Sequence, residues 1–123
     1  MKSVVTFVLL IGFIAFGGAS VFNGIKGLSG SGKVSWYGNQ FHGKKTASGD
    51  VYNMHEYTAA HKTLPFGTKV KITNQKNGKS VVVEVNDRGP FVKSREFDLS
   101  RAAFNEIGNT NSGVISVDYE VIN

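Results

Sequence analysis

Four side chains of this 123-residue sequence could transfer protons from positions where a folded chain would hold them in place. Carboxyl and imidazole groups are the common general acids and bases of enzymes. Asp87 follows the apolar run 81–85 and precedes the turn sequence Gly89-Pro90, so the end of a strand would hold its side chain rigidly. The alternative for Asp87 is a turn aspartate that accepts hydrogen bonds from nearby backbone amides.

The other three candidates have weaker support from the residues alone. Asp50 lies in a Gly- and Ser-containing segment, and the simplest interpretation is an ordinary loop carboxylate. His61 ends the run Thr58-Ala59-Ala60, and a lone histidine is more often structural than catalytic. Asp98 precedes a predicted helix, whose first turn it could cap instead of taking part in chemistry.

Composition narrows the chemistry that these residues could perform. The chain has no cysteine, which excludes disulfides, a thiol nucleophile, cysteine-ligated zinc and the lipid-modified cysteine of a lipoprotein. Its three histidines are too irregularly spaced to indicate a metal site, so we expect no metal and no other cofactor. The net charge is +5, but the lysines are scattered, which favours a solvated surface over a nucleic-acid partner.

The amino terminus predicts export. Lys2 precedes the apolar stretch 4–16 and the small residues 17–20, as in a secretory signal covering residues 1–20. Because no charge lies between Lys2 and Lys26, an uncleaved membrane anchor is the alternative. Either form places the protein in the periplasm or on the outer face of the cytoplasmic membrane. Residues 21–31 predict a Gly/Ser-rich linker, and residues 32–123 predict one folded domain.

A β-hairpin is the clearest structural pattern in the domain. Val70 and Ile72 alternate with polar residues. In the second run, Val81, Val83 and Val85 alternate with Val82 and Glu84. Between the two runs stands Asn77-Gly78, the preferred pair for a tight turn with positive φ at both positions. Short strands are also predicted at 33–37, 57–61 and 114–122.

One helix is predicted over residues 98–108. Ser100 or Asp98 could cap its start, and Gly108 is typical of a left-handed stop. The spacing of three apolar residues predicts that one face packs inward: Ala103, Phe104 and Ile107. Many short strands with one helix indicate a mainly β domain, a small barrel.

Five motifs resemble the RlpA (rare lipoprotein A) family: Ser35-Trp36-Tyr37-Gly38, Thr46-Ala47-Ser48-Gly49-Asp50, the segment 58–68, the segment 85–91 and Phe97-Asp98-Leu99-Ser100. The family is similar to barwin and expansin domains. The resemblance implies a six-stranded double-psi β-barrel. It also implies a lytic transglycosylase, a lyase that cleaves peptidoglycan glycan strands, particularly those stripped of stem peptides, to give 1,6-anhydro-muramic ends. A non-catalytic, expansin-like wall-binding module is the rival interpretation.

The resemblance also assigns catalytic roles. It implies that Asp87 is an acid and then a base, because a lytic transglycosylase uses the sugar's own C6 hydroxyl instead of water. Asp50 occupies a catalytic position where the family usually has glutamate, so its charge is kept on a side chain one methylene shorter. His61 matches a site position, where it would orient a carboxylate or the substrate. Asp98 matches a functional aspartate of expansin-like barrels.

Substrate-binding residues follow from the same resemblance. Arg88 could bind a muramyl lactate carboxylate or pair with Asp98. Trp36 and Tyr37 could stack on sugar rings, and core packing is an equally good interpretation of the tryptophan. The expected partner is peptidoglycan glycan, with the membrane contacted only through an uncleaved amino-terminal anchor.

Overall fold

Six strands and one helix make up residues 25–123, the part of the chain that the structure, a computed structural model, describes. The strands are β1 (Ser29–Trp36), β2 (Thr58–His61), β3 (Lys69–Asn74), β4 (Ser80–Asp87), β5 (Arg95–Leu99) and β6 (Ile115–Val121). Helix α1 (Arg101–Ile107) connects β5 to β6. The predicted signal or anchor, residues 1–20, lies outside the described residues. Across residues 25–123 we find no helix of the length and apolarity that a membrane span requires.

The strands form a closed barrel in the order β1-β5-β2-β4-β3-β6, with β6 pairing back to β1. Two neighbouring pairs are parallel, β1 with β5 and β2 with β4, and the other four are antiparallel. Parallel neighbours require crossover connections, which interlock the two halves of the barrel. The predicted mainly β fold, a six-stranded double-psi barrel with one short helix, is confirmed.

The apolar side chains of the alternating sequence patterns face the inside of the barrel, as predicted. Alternate side chains of a strand face opposite sides of a sheet, and the inward set of β3, β4 and β6 is almost fully buried. Helix α1 covers one end of the barrel with its apolar face. The inward-facing residues of these elements are Val70, Ile72, Val81, Val83, Val85, Val117, Tyr119, Val121, Ala103, Phe104 and Ile107.

Strand β5 was not predicted, and it changes the role of Asp98 in the fold. Asp98 lies within β5, so the helix is capped by Ser100, whose hydroxyl accepts from the Ala103 N–H at 3.3 Å. The predicted left-handed stop at Gly108 is wrong, since its φ is −164°. A Cβ on Gly108 would lie 3.4 Å from Ile115 Cδ1, an ordinary van der Waals distance, so packing does not require a glycine there.

The domain packing includes described residues that precede the predicted domain start at residue 32. Residues 29–31 of the predicted linker belong to β1, where Ser29 pairs with Glu120. Upstream of β1, Ile25 is buried, and the Gly27 N–H donates to the Val121 carbonyl at 2.7 Å. Residues 25–31 are therefore part of the domain packing.

The β3–β4 hairpin is confirmed, but its turn differs from the predicted one. The loop between the two strands has five residues, 75–79, and a hydrogen bond of 2.9 Å runs from the Gly78 N–H to the Asn74 carbonyl. Only Gly78 has positive φ, at 74°, so the prediction of positive φ at Asn77 is wrong. Instead, the Asn77 amide donates to the Ile107 carbonyl and its oxygen accepts from the Lys79 N–H.

Gly78→Val should lower the free energy of unfolding by about 1–3 kcal/mol, because a β-branched residue is strained at positive φ. No atom lies within 4 Å of a Cβ built at Gly78, so backbone strain alone should account for the loss. Chemical denaturation measures it. Gly78→Asn is the matched control and should cost less, since asparagine tolerates the left-handed region. Equal stability of the valine variant and the parent would contradict the turn geometry.

Candidate active site

The carboxylate of Asp87 is held by donors from three segments of the chain. Its Oδ1 accepts from the Ala47 N–H and from the Arg88 N–H, both at 2.9 Å. Its Oδ2 accepts from the Tyr37 hydroxyl at 2.7 Å. The side chain is half-buried at the end of β4. Asp87 is therefore held rigidly at the end of a strand, as predicted. It also accepts from backbone amides, as the alternative of a turn aspartate predicted.

The loop that carries Asp50 is attached to the same strand end. The Ser48 N–H donates to the Asn86 carbonyl at 3.2 Å, and the Thr46 N–H donates to the Asp50 carbonyl at 2.7 Å. The Asp50 carboxylate itself is exposed and accepts no hydrogen bond within residues 25–123. It lines an open groove beside Asn86 and Thr58, on the face of the β2–β4 pair.

Asp87 and Asp98 flank one residue of β2. Ala60 pairs with Asp87 on β4 and with Asp98 on β5, and Asp98 pairs in turn with Ser35 on β1. Neighbouring strands lie about 4.8 Å apart, which separates the two aspartate backbones by roughly 10 Å. The small side chain of Ala60 leaves the space between the two carboxyl groups open to larger side chains.

Tyr37 lies between these two carboxylates. Burial raises its pKa far above the free value, and the hydrogen bond to Asp87 and the negative charges of Asp87 and Asp98 raise it further. The phenol therefore keeps its proton and donates to Asp87. Tyr52 packs edge-on against the Tyr37 ring, with 4.8 Å between ring centroids.

Asp98 makes its contacts on the β1 side. Its Oδ1 accepts from the Ser35 hydroxyl and lies 3.5 Å from Arg95 Nε. The predicted pairing of Asp98 with Arg88 is not formed, because the Arg88 Nη1 donates to the carbonyls of His61 and Leu64 instead. Burial lowers the pKa of Arg88, an effect that the Asp87 charge opposes.

His61 is buried below this rim, with 1% of its side chain exposed. Its Nδ1 accepts from the N–H groups of Thr63 and Leu64 at 3.1 and 3.0 Å, so the proton resides on Nε2. That nitrogen lies 3.4 Å from Glu96 Oε2. The structure therefore gives His61 a carboxylate partner, Glu96, and does not bring its ring to Asp87.

An aromatic cleft opens beside Asp98 and Tyr37. It encloses about 670 Å³, within the usual range of ligand sites. Trp36 packs partly against the core and also lines the cleft, and its Nε1 donates to the Thr110 carbonyl at 3.1 Å. Phe91 stands 89% exposed at the cleft edge. The cleft is lined chiefly by Trp36, Tyr37, Phe41, Arg88, Phe91, Arg95 and Asp98.

Several of these residues were not among the sequence candidates. Ser35, Phe41, Phe91 and Arg95 were missed as site residues, although Ser35 and Phe91 fall within the quoted motifs. An exposed phenylalanine next to a Gly-Pro turn is the signal that could have identified Phe91. Within residues 25–123, no group of three or more histidine, aspartate or glutamate side chains is placed to hold a metal ion.

A family model described as "Lytic transglycolase" matches residues 29–119. The chain belongs to this family. The matched range contains the residues that pair across four strands, Asp87, Ala60, Asp98 and Ser35, and all residues that line the cleft. The family membership predicted from the motifs is thereby confirmed.

Proteins with this family's named activity are close in sequence. The chain is 56% identical over 97 residues to the endolytic peptidoglycan transglycosylase RlpA of Vibrio cholerae. It is 53% identical over 92 residues to the protein of the same name from Neisseria meningitidis. These matches cover 79% and 75% of this chain, but only 37% and 38% of the relatives. The chain thus spans less than two fifths of the length of these curated relatives.

Solved structures share the barrel at lower identity. A Streptomyces papain inhibitor superposes with a TM-score of 0.66 at 23% identity, covering 80% of this chain and 97% of the inhibitor. An expansin of Clavibacter michiganensis, solved with cellohexaose, gives a TM-score of 0.62 at 20% identity over 78% of this chain and 51% of the expansin. At such identities the likeness shows the fold alone.

Tyr37→Phe should lower the free energy of unfolding by about 1–2 kcal/mol, because Asp87 loses its only side-chain donor at Oδ2. The matched control is Tyr57→Phe, since Tyr57 is exposed and its hydroxyl makes no hydrogen bond within residues 25–123. The control should change stability by less than about 0.5 kcal/mol. Urea denaturation of both variants measures the difference, and equal effects would show that the Tyr37–Asp87 bond adds nothing to stability.

Proposed function

We propose that this protein is a lytic transglycosylase that cleaves peptidoglycan glycan strands and leaves 1,6-anhydro-muramic ends. The observation that carries the proposal is the carboxyl group of Asp87, fixed by three donors at the edge of an aromatic cleft. The family membership and the names of the relatives support the same activity. Flat aromatic side chains suit the apolar faces of sugar rings, which agrees with the character of the cleft.

Asp87 performs both proton transfers of the proposed reaction. The protonated carboxyl first gives its proton to the glycosidic oxygen, and the bond from that oxygen to C1 of the muramic sugar breaks. The carboxylate then takes the proton of the sugar's own C6 hydroxyl while O6 bonds to C1. Atoms and charges balance without an attacking water, and Asp87 ends in its starting protonation state.

The hydrogen bonds of Asp87 indicate which oxygen exchanges the proton. Oδ1 is occupied by the backbone N–H groups of Ala47 and Arg88. Oδ2 is shared only with the Tyr37 hydroxyl, which can rotate between donating and accepting. We assign the catalytic proton to Oδ2, with Tyr37 following the change in protonation.

The other predicted residues take supporting roles in this proposal. Asp98, which lines the cleft, supplies negative charge that stabilises the positive charge developing at the anomeric carbon, and Asp50, which lines the neighbouring groove, adds to it at longer range. His61 is a positioning residue, because it organises the turn whose carbonyls hold Arg88. Arg88 and Trp36 form the walls along which the glycan lies, with Tyr37 between them.

Digestion of purified sacculi by the wild-type protein tests the activity. Mass analysis should detect muropeptides or glycan fragments with anhydro-muramic ends. Binding to sacculi without such products would favour a non-catalytic wall-binding module in place of the enzyme. Sacculi incubated with heat-denatured protein provide the baseline for anhydro ends already present.

Asp87→Asn should abolish anhydro-muramic products while the fold and sacculus binding remain. Asparagine has nearly the same shape, and its oxygen can still accept from the Ala47 and Arg88 amides, but it cannot deliver or take up the proton. Circular dichroism, sacculus pull-down and product mass analysis measure the three properties. Asp118→Asn, an exposed aspartate on β6 that also accepts two side-chain hydrogen bonds, is the matched control and should stay active. Wild-type product levels from Asp87→Asn would move the catalytic role to Asp98.

Asp50 variants complete this prediction. Asp50→Asn should reduce the rate less than Asp87→Asn if Asp50 acts only through its charge. Asp50→Glu restores the side chain usual at this family position, so activity should stay level or rise. A displaced catalytic group can cost on the order of 100-fold in rate, so a loss of that size in Asp50→Glu would show that the loop is built for the shorter side chain.

We also propose that the protein is exported, because its proposed substrate lies outside the cytoplasm and its amino-terminal sequence has the pattern of a signal. The mature protein should begin near Ser20 and appear in the periplasmic fraction. Amino-terminal sequencing of the purified protein measures the start. Intact Met1 recovered from the membrane fraction would show an uncleaved anchor instead.

A further inference from the structure

The three arginines of residues 25–123 differ in how their guanidinium groups are used. Arg88 donates to two backbone carbonyls, and Arg101 Nη1 donates to Asn39 Oδ1 at 2.9 Å. The guanidinium of Arg95 makes no hydrogen bond within the described residues, and its buried Nε lacks a hydrogen-bond acceptor although it lies 3.5 Å from Asp98 Oδ1. A guanidinium always carries its charge and has five N–H donors. Arg95 therefore presents a cation with unused donors.

Arg95 is fixed by its backbone at the edge of the aromatic cleft. Its N–H donates to the Val92 carbonyl at 3.1 Å, and its carbonyl accepts from Lys62 Nζ at 3.2 Å. The residue also pairs with Lys33 of β1. Its side chain is 26% exposed and lines the cleft. A partly buried side chain on a strand loses little freedom when a ligand binds, which favours recognition.

Asp98 is the internal partner of Arg95, and the pair is incomplete. Asp98 Oδ1 lies 3.5 Å from Arg95 Nε without forming a hydrogen bond, and it already accepts from the Ser35 hydroxyl. Among residues 25–123, neither Nη group of Arg95 has an acceptor. Carboxylates bind guanidinium best through two parallel N–H···O bonds. Arg95 thus has the capacity to bind a second carboxylate beside Asp98.

We propose that Arg95 is a specificity-determining residue that binds the free lactyl carboxylate of an N-acetylmuramic residue in the cleft. This inference rests on the proposed function, since it takes peptidoglycan glycan as the ligand. Where a stem peptide is attached, the lactyl group is a neutral amide, and the charge that Arg95 recognises is gone. The cleft would therefore discriminate between strands by the charge of the lactyl group.

Binding measurements on two chemically matched glycan pools test the proposal. Strands freed of stem peptides by an amidase are compared with the same strands after conversion of their lactyl carboxylates to methylamides. The Asp87→Asn protein, which should not cleave them, is expected to bind the carboxylate strands about 10- to 100-fold more tightly, as for a hydrogen-bonded charge pair. Adding Arg95→Gln should remove most of this preference and leave binding of the methylamide strands unchanged.

Two further variants make the result specific to the guanidinium. Arg95→Lys keeps the charge without the planar fork and should give an intermediate preference. Arg101→Gln is the control, because Arg101 does not line the cleft and its Nη1 already donates to Asn39, and it should keep the full preference. Equal affinity of the parent protein for both pools, or equal weakening of both by Arg95→Gln, would overturn the proposal. Because binding is the readout, these outcomes are independent of whether the wild-type protein yields anhydro-muramic products.

Discussion

The contact on which the site depends is the carboxylate of Asp87 at the end of β4. It joins three segments that are distant in sequence: the end of β1 through Tyr37, the loop 46–50 through Ala47, and its own turn through Arg88. A partly buried carboxylate that accepts charge-assisted hydrogen bonds is costly to leave unsatisfied. The same three bonds therefore order the rim of the barrel and fix the orientation of the proposed catalytic group.

The pairing register of the barrel strands determines where Asp87 lies relative to the other site residues. Parallel pairing of β2 with β4 and antiparallel pairing of β2 with β5 place Ala60 between Asp87 and Asp98. The pairing of β2 with β4 shifts between Ala59 and Ala60, and this shift brings Ala60 level with Asp87. The residue between the two aspartates is small, and the Tyr37 hydroxyl reaches Asp87 from the end of β1. The site is thus set by pairings between strands that are not neighbours in sequence.

Local patterns were sufficient for the parts of the fold that form between sequence neighbours. The β3–β4 hairpin, the buried face of α1 and strand β6 followed from periodicity, and Asp87 followed from its place at a strand end. Strand β5 was missed although Phe97 and Leu99 alternate with polar residues and are fully buried. The run is only five residues long, its end was assigned to the predicted helix over 98–108, and it pairs in parallel with β1, about 60 positions away along the chain. Ser35 reaches Asp98 through that pairing, and Arg95 reaches it within β5 itself, so neither contact could be predicted without β5. The topology of the barrel was predicted only from the resemblance of the motifs to the family.

The balance of charge in the cleft explains why a tyrosine stands between two aspartates. Asp87 and Asp98 both raise the pKa of Tyr37, so the phenol donates a hydrogen bond without adding or neutralising charge. A lysine at this position would pair with the carboxylates and reduce the negative potential near the sugar.

In the proposed reaction that potential stabilises the positive charge that develops at the anomeric carbon. Within the described residues neither cleft arginine forms an ion pair with Asp87, since Arg88 Nη1 is bonded to the carbonyls of His61 and Leu64 and Arg95 stands beside Asp98. The cleft therefore keeps a negative centre at the proposed reacting bond and a cation at its Asp98 side, the polarity that a sugar with an anionic substituent requires.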